Sequence, residues 1–300
     1  MDRPLAHRSK DRDPTGGGGA SPPLEAGLYV VATPIGNLRD ITLRALDVLG
    51  GAQLVLAEDT RVTAKLLAAY GLSPRVQSYH EHNADAMRPQ VLAALAAGQA
   101  VALVSDAGTP LVSDPGFKLV RDAVAAGHRV VPVPGASAAL AGLVAAGLPT
   151  DRFLFAGFAP VKAGARAAFF AGVADVEATL VFYETGPRLK ASLMAMAEAF
   201  GDRDAAIGRE LTKMFEEVRR GRLSTLAAAI DAPPKGEIVV LVAPPVKDRT
   251  APAASVIDAA LRAHLGAHSV KEAAALVAEQ LSIPRRDAYA RALSLRDEKP

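Results

Sequence analysis

The amino-acid sequence predicts an α/β protein with two α/β domains and a small helical segment at the C-terminus. Three observations predict this fold class: strands and helices alternate up to residue 147, their order changes after LPTDRF, and a proline-rich linker, APPVKDRTAPAA, precedes a purely helical pattern. We therefore expect a disordered tail at residues 1–26, an N-terminal α/β domain at 27–149, a mixed α/β domain at 150–245 and a helix-turn-helix-like segment at 252–296.

The composition narrows the class of protein. Half of the 300 residues are hydrophobic, which is enough for two cores, and the absence of cysteine excludes disulfides and thiolate metal sites. No apolar run reaches the ~18 residues of a membrane span, and the charged N-terminus lacks the apolar core of a secretory signal. We therefore expect a cytoplasmic protein. A net charge of +2 is compatible with a nucleic-acid substrate without indicating one.

The first half of the chain favours a parallel sheet covered by helices on both faces. Strands are predicted at LYVVATP, QLVLAE, RVQSYH, AVALVS and RVVPVPG. The carboxyl ends of parallel strands meet at one edge of a sheet, where open α/β proteins bind ligands. The segments at those ends are TPIGNLRD, AEDTR, YHEHN, SDAGTP and PGAS, and we expect them to line one pocket.

The second half predicts a mixed sheet and then helices. Strands are expected at FLFAGF, ATLVFYE, AAIGREL, FEEVRRG and EIVVLVA, and helices near residues 164–172, 187–200 and 224–230. FEEVRRG follows AAIGREL closely, so we expect the two to pair antiparallel. Residues 255–295 have a helical pattern, with a short turn at 281–284.

Several common nucleotide and hydrolase motifs are missing. The first strand is not followed by G-x-G-x-x-G, and the chain has neither a G-K-S/T loop nor a G-x-S-x-G elbow. His80 and His82 would point the same way on an extended segment, but no further cluster of ligands accompanies them, so we expect no metal.

The segment SDAGTPLVSDPG divides into two parts. The small residues 107–109 let backbone groups approach a ligand closely, and Asp106 adds a charge at the sheet edge. Asp114 and Pro115 have a structural explanation as the N-cap and first residue of the next helix. After the following strand, Ser137 lies at a helix start, which presents free N–H groups to an anion.

Nine ordered motifs between about residues 28 and 242 resemble those of the tetrapyrrole-methylase superfamily of S-adenosylmethionine-dependent methyltransferases. They are VATPIGNLRDIT, AEDTR, HEHN, LVSDAGTPLVSDPG, VVPVPGASA, GLPTDRFLFAGFAP, FYETGPRL, RELTKMFEE and KGEIVVLV. Within it they look like the ribosomal RNA small subunit methyltransferase I branch, which 2′-O-methylates a cytidine of 16S rRNA. The sequence departs at residues 184–188, where Glu-Ser-Pro-His-Arg is expected, and at Ala136, where Pro is expected.

The resemblance implies S-adenosylmethionine in a cleft between two α/β domains, a homodimer, and 16S rRNA in the small ribosomal subunit as partner. Asp106 is the candidate for the donor's ammonium, and residues 107–109 with Ser137 are candidates for its carboxylate. The resemblance also places the adenine near residues 209–211 and 237–238. The expected cofactor-binding residues are Pro34, Ser105, Asp106, Ala107, Gly108, Thr109, Ser137, Arg209, Glu210, Leu211, Glu237 and Ile238.

A ribose 2′-hydroxyl needs a base or an oriented acceptor for its proton. The candidates are Glu58, Asp59, His80 and Glu184, and for each a role in capping or in a surface ion pair is equally open. In particular, Asp59 or Thr60 could cap the next helix and leave Arg61 in solvent.

Basic residues are the candidates for holding RNA, although the cluster in the second domain could equally be a solvated strand face. The C-terminal segment from residue 251 has 7 Lys and Arg against 6 Asp and Glu, so it could dock RNA or pack in the dimer. The expected RNA-binding residues are Arg61, Lys213, Arg219, Arg220, Arg285 and Arg286.

Two other functions compete with rRNA methylation. A corrinoid or porphyrin carbon methyltransferase would share the fold and the donor, but the C-terminal helices and the TPIGNL and SDAGTP segments favour the RNA branch. A regulator that binds DNA through its last helix would need base-reading side chains there, whereas residues 285–295 offer mainly Arg, Ala and Leu.

Overall fold

The computed structural model describes residues 24–114, 116–245, 253–281 and 283–297, with the backbone alone at residue 297. Most of the predicted tail, residues 1–23, and most of the linker, residues 246–252, lie outside the described residues. The chain divides into two compact units between residues 245 and 246. The larger unit contains two five-stranded sheets, and the smaller is helical.

The first sheet is entirely parallel, as predicted, with the strand order β3-β2-β4-β1-β5. Every residue of β2 and β4 is buried, and both strands consist of Ala, Val and Leu, which is typical of strands covered on both faces. The strands are β1 Gly27–Val31, β2 Leu54–Ala57, β3 Val76–Ser78, β4 Ala100–Val104 and β5 Val130–Val133.

Short polar side chains begin most of the helices that follow these strands. Asn37 accepts a hydrogen bond from the N–H of residue 39 in a 3₁₀ turn, and Thr42 caps α1. Asp59 caps α2, which confirms the capping alternative for that residue. The helices are α1 Leu43–Gly51, α2 Thr60–Ala69, α3 Ala84–Ala96, α4 Phe117–Ala125 and α5 Ala138–Ala146.

The predicted start of α4 at Asp114 is wrong. The helix begins at Phe117, and its N-cap is Gly116, which has a φ of 126° and no side chain to cap the helix. Pro115, predicted as the first helical residue, lies outside the described residues. Asp114 therefore does not cap α4, and its place in the sequence is not explained by the start of that helix.

The second sheet is mixed, as predicted, with the order β6-β7-β10-β8-β9. Strands β6 and β7 are parallel to each other, and the remaining three pairs of neighbouring strands are antiparallel, including β8 with β9. The strands are β6 Phe153–Phe158, β7 Thr179–Thr185, β8 Asp204–Arg209, β9 Glu217–Arg222 and β10 Glu237–Val242. The helices are α6 Ala163–Ala171, α7 Gly186–Phe200 and α8 Leu223–Ala228.

Helix α5 joins the two sheets. One face of the second sheet packs on α6, α7 and α8 around Phe170, Phe182 and Met196. The other face packs on α5, where Leu143 is buried against strand β10. Gly142 permits this approach, because a Cβ at that position would lie 3.1 Å from Cγ1 of Val239. The larger unit therefore has a continuous core that runs from α5 into the second sheet.

The smaller unit is a three-helix arrangement with its own core of Leu261, Val277 and Ala292. Ser269 and Glu272 form a capping box at the start of the second helix. The helices are α9 Ala254–Leu265, α10 Val270–Gln280 and α11 Arg285–Asp297, and the last two correspond to the predicted helix-turn-helix pair. Across the described segments, no helix has the length and apolar character needed to cross a membrane.

Candidate functional site

A cleft of about 250 Å³ lies between the carboxyl edge of the first sheet and the second sheet. One wall consists of the segments that follow β1, β4 and β5, and the other consists of β6, β7, β8, β10 and adjoining loops. The lining residues are Ile35, Ala107, Gly108, Thr109, Val112, Ser113, Asp114, Ser137, Ala138, Phe158, Tyr183, Glu184, Thr185, Gly208, Leu211, Gly236, Glu237, Ile238 and Val239.

The prediction that five strand ends share one pocket is right for three of them. The loops after β1, β4 and β5 reach the cleft, whereas AEDTR and YHEHN do not line it. The strand order explains the difference, because β2 and β3 lie on the side of the sheet away from β1 and β5. The second wall supplies just over half of the lining, and the sequence candidates there were only Glu184 and residues 209–211 and 237–238.

Backbone hydrogen bonds fix the loop after β4 against its neighbours. The N–H and carbonyl of Gly108 pair with those of Thr33 at 3.0 and 2.8 Å, which joins this loop to the end of β1. The hydroxyl of Thr33 donates to the carbonyl of Ser105, and that of Thr109 donates to the carbonyl of Ala136. Gly108 has a φ of 81°, a conformation that favours glycine. The floor of the cleft is therefore largely main chain held in one geometry.

Asp106 is not among the lining residues, and its carboxylate binds a backbone group. Its Oδ1 accepts a hydrogen bond from the backbone N–H of Asp59 at 2.9 Å. Asp59 itself is held by Arg61, whose guanidinium hydrogen bonds lower the pKa of the Asp59 carboxyl to about 2. These contacts tie the loop after β4 to the start of α2. Neither Asp59 nor Arg61 lines the cleft.

Asp114, which sequence reasoning assigned to a helix cap, lines the cleft. Burial raises the pKa of its carboxyl to about 6, and the negative charges of Glu58 and Asp106 act in the same direction, while a hydrogen bond with Ser105 opposes them. The preceding Ser113 has a φ of 68°, which is unusual for a residue other than glycine. Because Asp-Pro-Gly is a usual helix start, nothing in the sequence indicated that Asp114 lines the cleft.

Glu58 and His80 are not part of the cleft lining. Burial first, and then the charge of Asp106, raises the pKa of the Glu58 carboxyl. The expectation of an extended segment at His80 and His82 is wrong: the N–H of Asn83 donates to the carbonyl of His80, which makes a turn. Among the described residues, no group of three potential ligands could hold a metal ion.

Glu184 lines the second wall but its carboxylate is fully engaged. It is buried and accepts hydrogen bonds from the N–H of Thr185 at 2.8 Å and from the hydroxyl of Ser192. The guanidinium of Arg188 lies 3.4 Å from it. Gly186, one of the departures from the expected motif, is required here, because a Cβ would overlap the carbonyl oxygen of Pro234. The segment 184–188 thus fixes the start of α7.

Lys213 forms an ion-pair network beside the second wall with Glu210 and with the lining residue Glu237. The Nζ of Lys213 lies 3.0 Å from a carboxylate oxygen of Glu210 and 3.0 Å from one of Glu237. Leu211, Glu237 and Ile238 line the cleft, whereas Arg209 and Glu210 stand outside the lining. On the first wall, Ala107, Gly108, Thr109 and Ser137 line it, whereas Pro34, Ser105 and Asp106 do not.

The basic residues expected to hold RNA are mostly engaged within the larger unit. Arg219 shares the carboxylate of Glu217 with Arg209, and Arg220 donates to the carbonyl of Ala146 at 3.1 Å. In the smaller unit, Arg285 and Arg286 lie exposed at the start of α11.

Sequence reasoning missed several lining residues besides Asp114. Tyr183 and Phe158 pack edge to face with their centroids 5.5 Å apart, and burial raises the pKa of the Tyr183 hydroxyl. A polar aromatic residue at the end of a predicted strand was an available signal for Tyr183. Gly208 and Gly236 gave no signal, because only the tertiary fold brings them opposite Gly108.

Comparison with known proteins identifies the family. The tetrapyrrole (corrin/porphyrin) methylase family model matches residues 27–227, and that of an RsmI C-terminal HTH domain matches residues 250–296. A protein of Mesorhizobium japonicum named ribosomal RNA small subunit methyltransferase I is 53% identical over 92% of this chain and 94% of its own length. The chain belongs to this branch of the tetrapyrrole methylases.

Other family members agree with this assignment. The ribosomal RNA small subunit methyltransferase I of Erythrobacter litoralis is 50% identical, over 91% of this chain and 97% of its own. Among solved structures, a uroporphyrin-III-C-methyltransferase from Thermus thermophilus has a TM-score of 0.53 at 24% identity, covering 72% of this chain and 94% of its own. The structure of a uroporphyrin-III C-methyltransferase from Thermus thermophilus complexed with S-adenyl homocysteine has a TM-score of 0.52 at 22% identity. The match covers 72% of this chain and 96% of that one. These structures show that the fold is that of tetrapyrrole methylases.

Proposed function

We propose that this protein transfers a methyl group from S-adenosylmethionine to the 2′-oxygen of a cytidine ribose in 16S ribosomal RNA. The observation that carries the proposal is the match to ribosomal RNA small subunit methyltransferase I over more than nine-tenths of this chain, including its C-terminal helices. The likeness to uroporphyrin methyltransferases is below 25% identity and concerns the fold alone. No feature of the cleft favours a tetrapyrrole over a nucleotide.

The residues of the cleft fit the donor. Gly108, Gly208 and Gly236 present main chain without side chains, and Leu211 with Ile238 offers an apolar surface for an adenine ring. Ser137 is the N-cap of the nine-residue helix α5, whose N-terminus favours a carboxylate. The donor supplies a methyl group on a good leaving group, so the protein mainly has to position the reactants.

We assign the donor to the residues of the expected set that line the cleft. The main chain of Ala107, Gly108 and Thr109 would bind its polar end together with Ser137, and residues 211, 237 and 238 would contact its nucleoside. Asp106 would act by positioning, because its carboxylate holds the N–H of Asp59. Ser105 would do the same, because its carbonyl accepts from the hydroxyl of Thr33.

The RNA requires cations that are open to solvent. Arg61 is 87% exposed in its side chain, and Arg285 and Arg286 are exposed in the smaller unit. We assign RNA contact to these three residues first on the basis of exposure. Arg61 and Arg286 each contact a neighbouring carboxylate, but their side chains are 87% and 93% exposed, against 28% for Lys213 and 51% for Arg219. Reversal of charge at Arg285 and Arg286 should weaken binding to small ribosomal subunits in a filter assay.

Two further parts of the proposal follow from the family. A cytoplasmic location matches that of the proposed 16S rRNA substrate. A homodimer would use an apolar surface, and α5 exposes Leu140 and Val144. Light scattering on the purified full chain gives the molecular mass, and a value near 31.0 kDa would contradict the dimer.

Mass spectrometry of 16S rRNA tests the function directly. Cells that lack this protein should lose one ribose-methylated cytidine, and the wild-type gene on a plasmid should restore it. A ribose methylation pattern that is unchanged in the deletion strain would contradict the proposal. Incubation of the purified protein with uroporphyrinogen, followed by absorption spectroscopy, serves as the control for the alternative substrate.

A further inference from the structure

We propose that the carboxylate of Asp114 accepts the proton of the ribose 2′-hydroxyl during methyl transfer. This inference rests on the proposed function, which requires such an acceptor, and it names a residue outside the four sequence candidates.

The other carboxylates at the cleft are already committed. Among the described residues, three acidic side chains line it: Asp114, Glu184 and Glu237. Glu184 is held by the N–H of Thr185 and the hydroxyl of Ser192, and Glu237 is ion-paired to Lys213 at 3.0 Å. A carboxylate whose oxygens already accept from other donors would have to break those contacts before it could take the proton of a hydroxyl.

The remaining sequence candidates are not at the cleft. Glu58, Asp59 and His80 are absent from its lining, and Asp59 is bound to Arg61 on two sides. A base must reach the proton it removes, so geometry disfavours all three. Asp114 lines the cleft. Within the described part of the chain, it forms no ion pair with Lys or Arg.

The surroundings of Asp114 make it more basic than an ordinary carboxylate. Burial has the largest effect on its pKa, the negative charges of Glu58 and Asp106 raise the pKa further, and a hydrogen bond with Ser105 opposes them. Tyr183 faces it from β7. Their combined effect with burial brings the pKa of Asp114 to about 6, so that the group is ionised at neutral pH and still accepts a proton readily.

The local backbone also marks this position. Leu111 and Ser113 both have left-handed φ values, 72° and 68°, although neither is glycine. Such conformations cost energy and tend to occur where function requires an exact side-chain position. Here they direct the chain so that Ser113 and Asp114 face the cleft instead of beginning helix α4.

The step balances with the residues and donor named. The 2′-oxygen forms a bond to the methyl carbon while the bond between that carbon and sulfur breaks, and the bonding pair stays with sulfur. The proton of the hydroxyl passes to a carboxylate oxygen of Asp114. It then leaves to solvent, which restores the ionised carboxylate for the next turnover.

Single-turnover methyl transfer to small ribosomal subunits tests the inference, with saturating radiolabelled donor and pH varied between about 5 and 9. The wild-type rate should fall below about pH 6. Asp114→Asn should lower the rate roughly 100-fold or more. The rate of this variant should also no longer fall at low pH, so that the acidic limb of the pH–rate curve is lost. Its affinity for the donor in calorimetry should be unchanged.

Glu58→Gln is the matched variant, because it removes a negative charge beside Asp114 without touching the cleft lining. Its acidic limb should move to lower pH, an effect that a purely structural role of Asp114 would not produce. An unmoved limb would overturn the inference, and this measurement decides the question if Asp114→Asn does not fold.

Two other results separate this inference from the proposed function. An Asp114→Asn protein with the wild-type rate, or one that only loses donor affinity, would overturn the role of Asp114 and leave the function intact. A wild-type protein that binds the donor but methylates no 16S rRNA substrate would overturn both.

Discussion

The backbone N–H of Asp59 donates a hydrogen bond to Oδ1 of Asp106, with the two atoms 2.9 Å apart. This contact connects the loop after β4 with the first turn of α2, across two neighbouring parallel strands. It gives Asp106 a structural task at the position where sequence reasoning expected a contact to the donor.

Replacement of Asp106 should therefore affect stability more than donor binding. Asp106→Ala leaves the N–H of Asp59 without its partner, at a cost of about 1–2 kcal/mol in the free energy of unfolding. Urea unfolding followed by circular dichroism measures this, with the exposed Asp151→Ala as the control. Equal midpoints for the two variants would contradict the prediction. A large loss of donor affinity in calorimetry would return Asp106 to the donor site.

The hydroxyl of Ser192 should be essential to the buried carboxylate of Glu184. Ser192→Ala removes one of its hydrogen-bond donors in a site closed to water, so the free energy of unfolding should fall by about 1–3 kcal/mol. Ser73→Ala, on the surface, controls for the loss of a hydroxyl as such. If thermal unfolding shows the same midpoint for both proteins, this account of Glu184 is wrong.

Two glycines in helices should respond in opposite directions to alanine. A Cβ at Gly186 would overlap the carbonyl oxygen of Pro234. The free energy of unfolding of Gly186→Ala should therefore be lower than that of the wild type by about 3 kcal/mol or more. A Cβ at Gly164, in α6, would meet open space. The free energy of unfolding of Gly164→Ala should therefore rise by roughly 0.5–1 kcal/mol. Chemical denaturation of both variants provides the comparison. A Gly186→Ala protein as stable as wild type would mean that the 231–236 loop is placed differently.

The ionisation of Asp114 should make stability depend on pH. Its pKa in the folded protein is about 6, above the ordinary value of 3.8, so the folded state holds more protons than the unfolded state between those values. Its contribution to stability therefore falls as pH rises from about 4 to about 6 and stays low above that range. Asp114→Asn, which cannot ionise, should be more stable than wild type above about pH 6 and gain nothing near pH 4.

Urea midpoints at both ends of this range measure the effect. The exposed Asp151→Asn should show no such difference between the two pH values. A constant gap between Asp114→Asn and wild type across the range would contradict the raised pKa.

Much of the fold could be predicted from the sequence because local patterns determine it. The unbroken apolar residues of β2 and β4 indicate strands that are buried on both faces, and the short connection before β9 indicates its antiparallel pairing with β8. The order β3-β2-β4-β1-β5 has no local signal, so the five strand ends were expected to meet, and only three do.

The site was harder to predict than the fold. Asp114 precedes Pro and Gly, the usual signal for a helix start, and no local rule predicts left-handed conformations at Leu111 and Ser113. The second wall depends on β10 and β8, whose approach to Gly108 is a property of the tertiary structure. The family motifs pointed to residues 107–109, which line the cleft, but gave Asp114 no role there.

Among the described residues, β10 is the last strand in sequence, and it is the middle strand of its sheet, between β7 and β8. Synthesis from the N-terminus therefore delivers the centre of this sheet after its edges, so β7 and β8 must wait for residues 237–242 before they can be joined. The same strand provides Glu237, Ile238 and Val239 to the cleft. A nascent chain consequently acquires the complete cleft only after residues 237–242 have emerged.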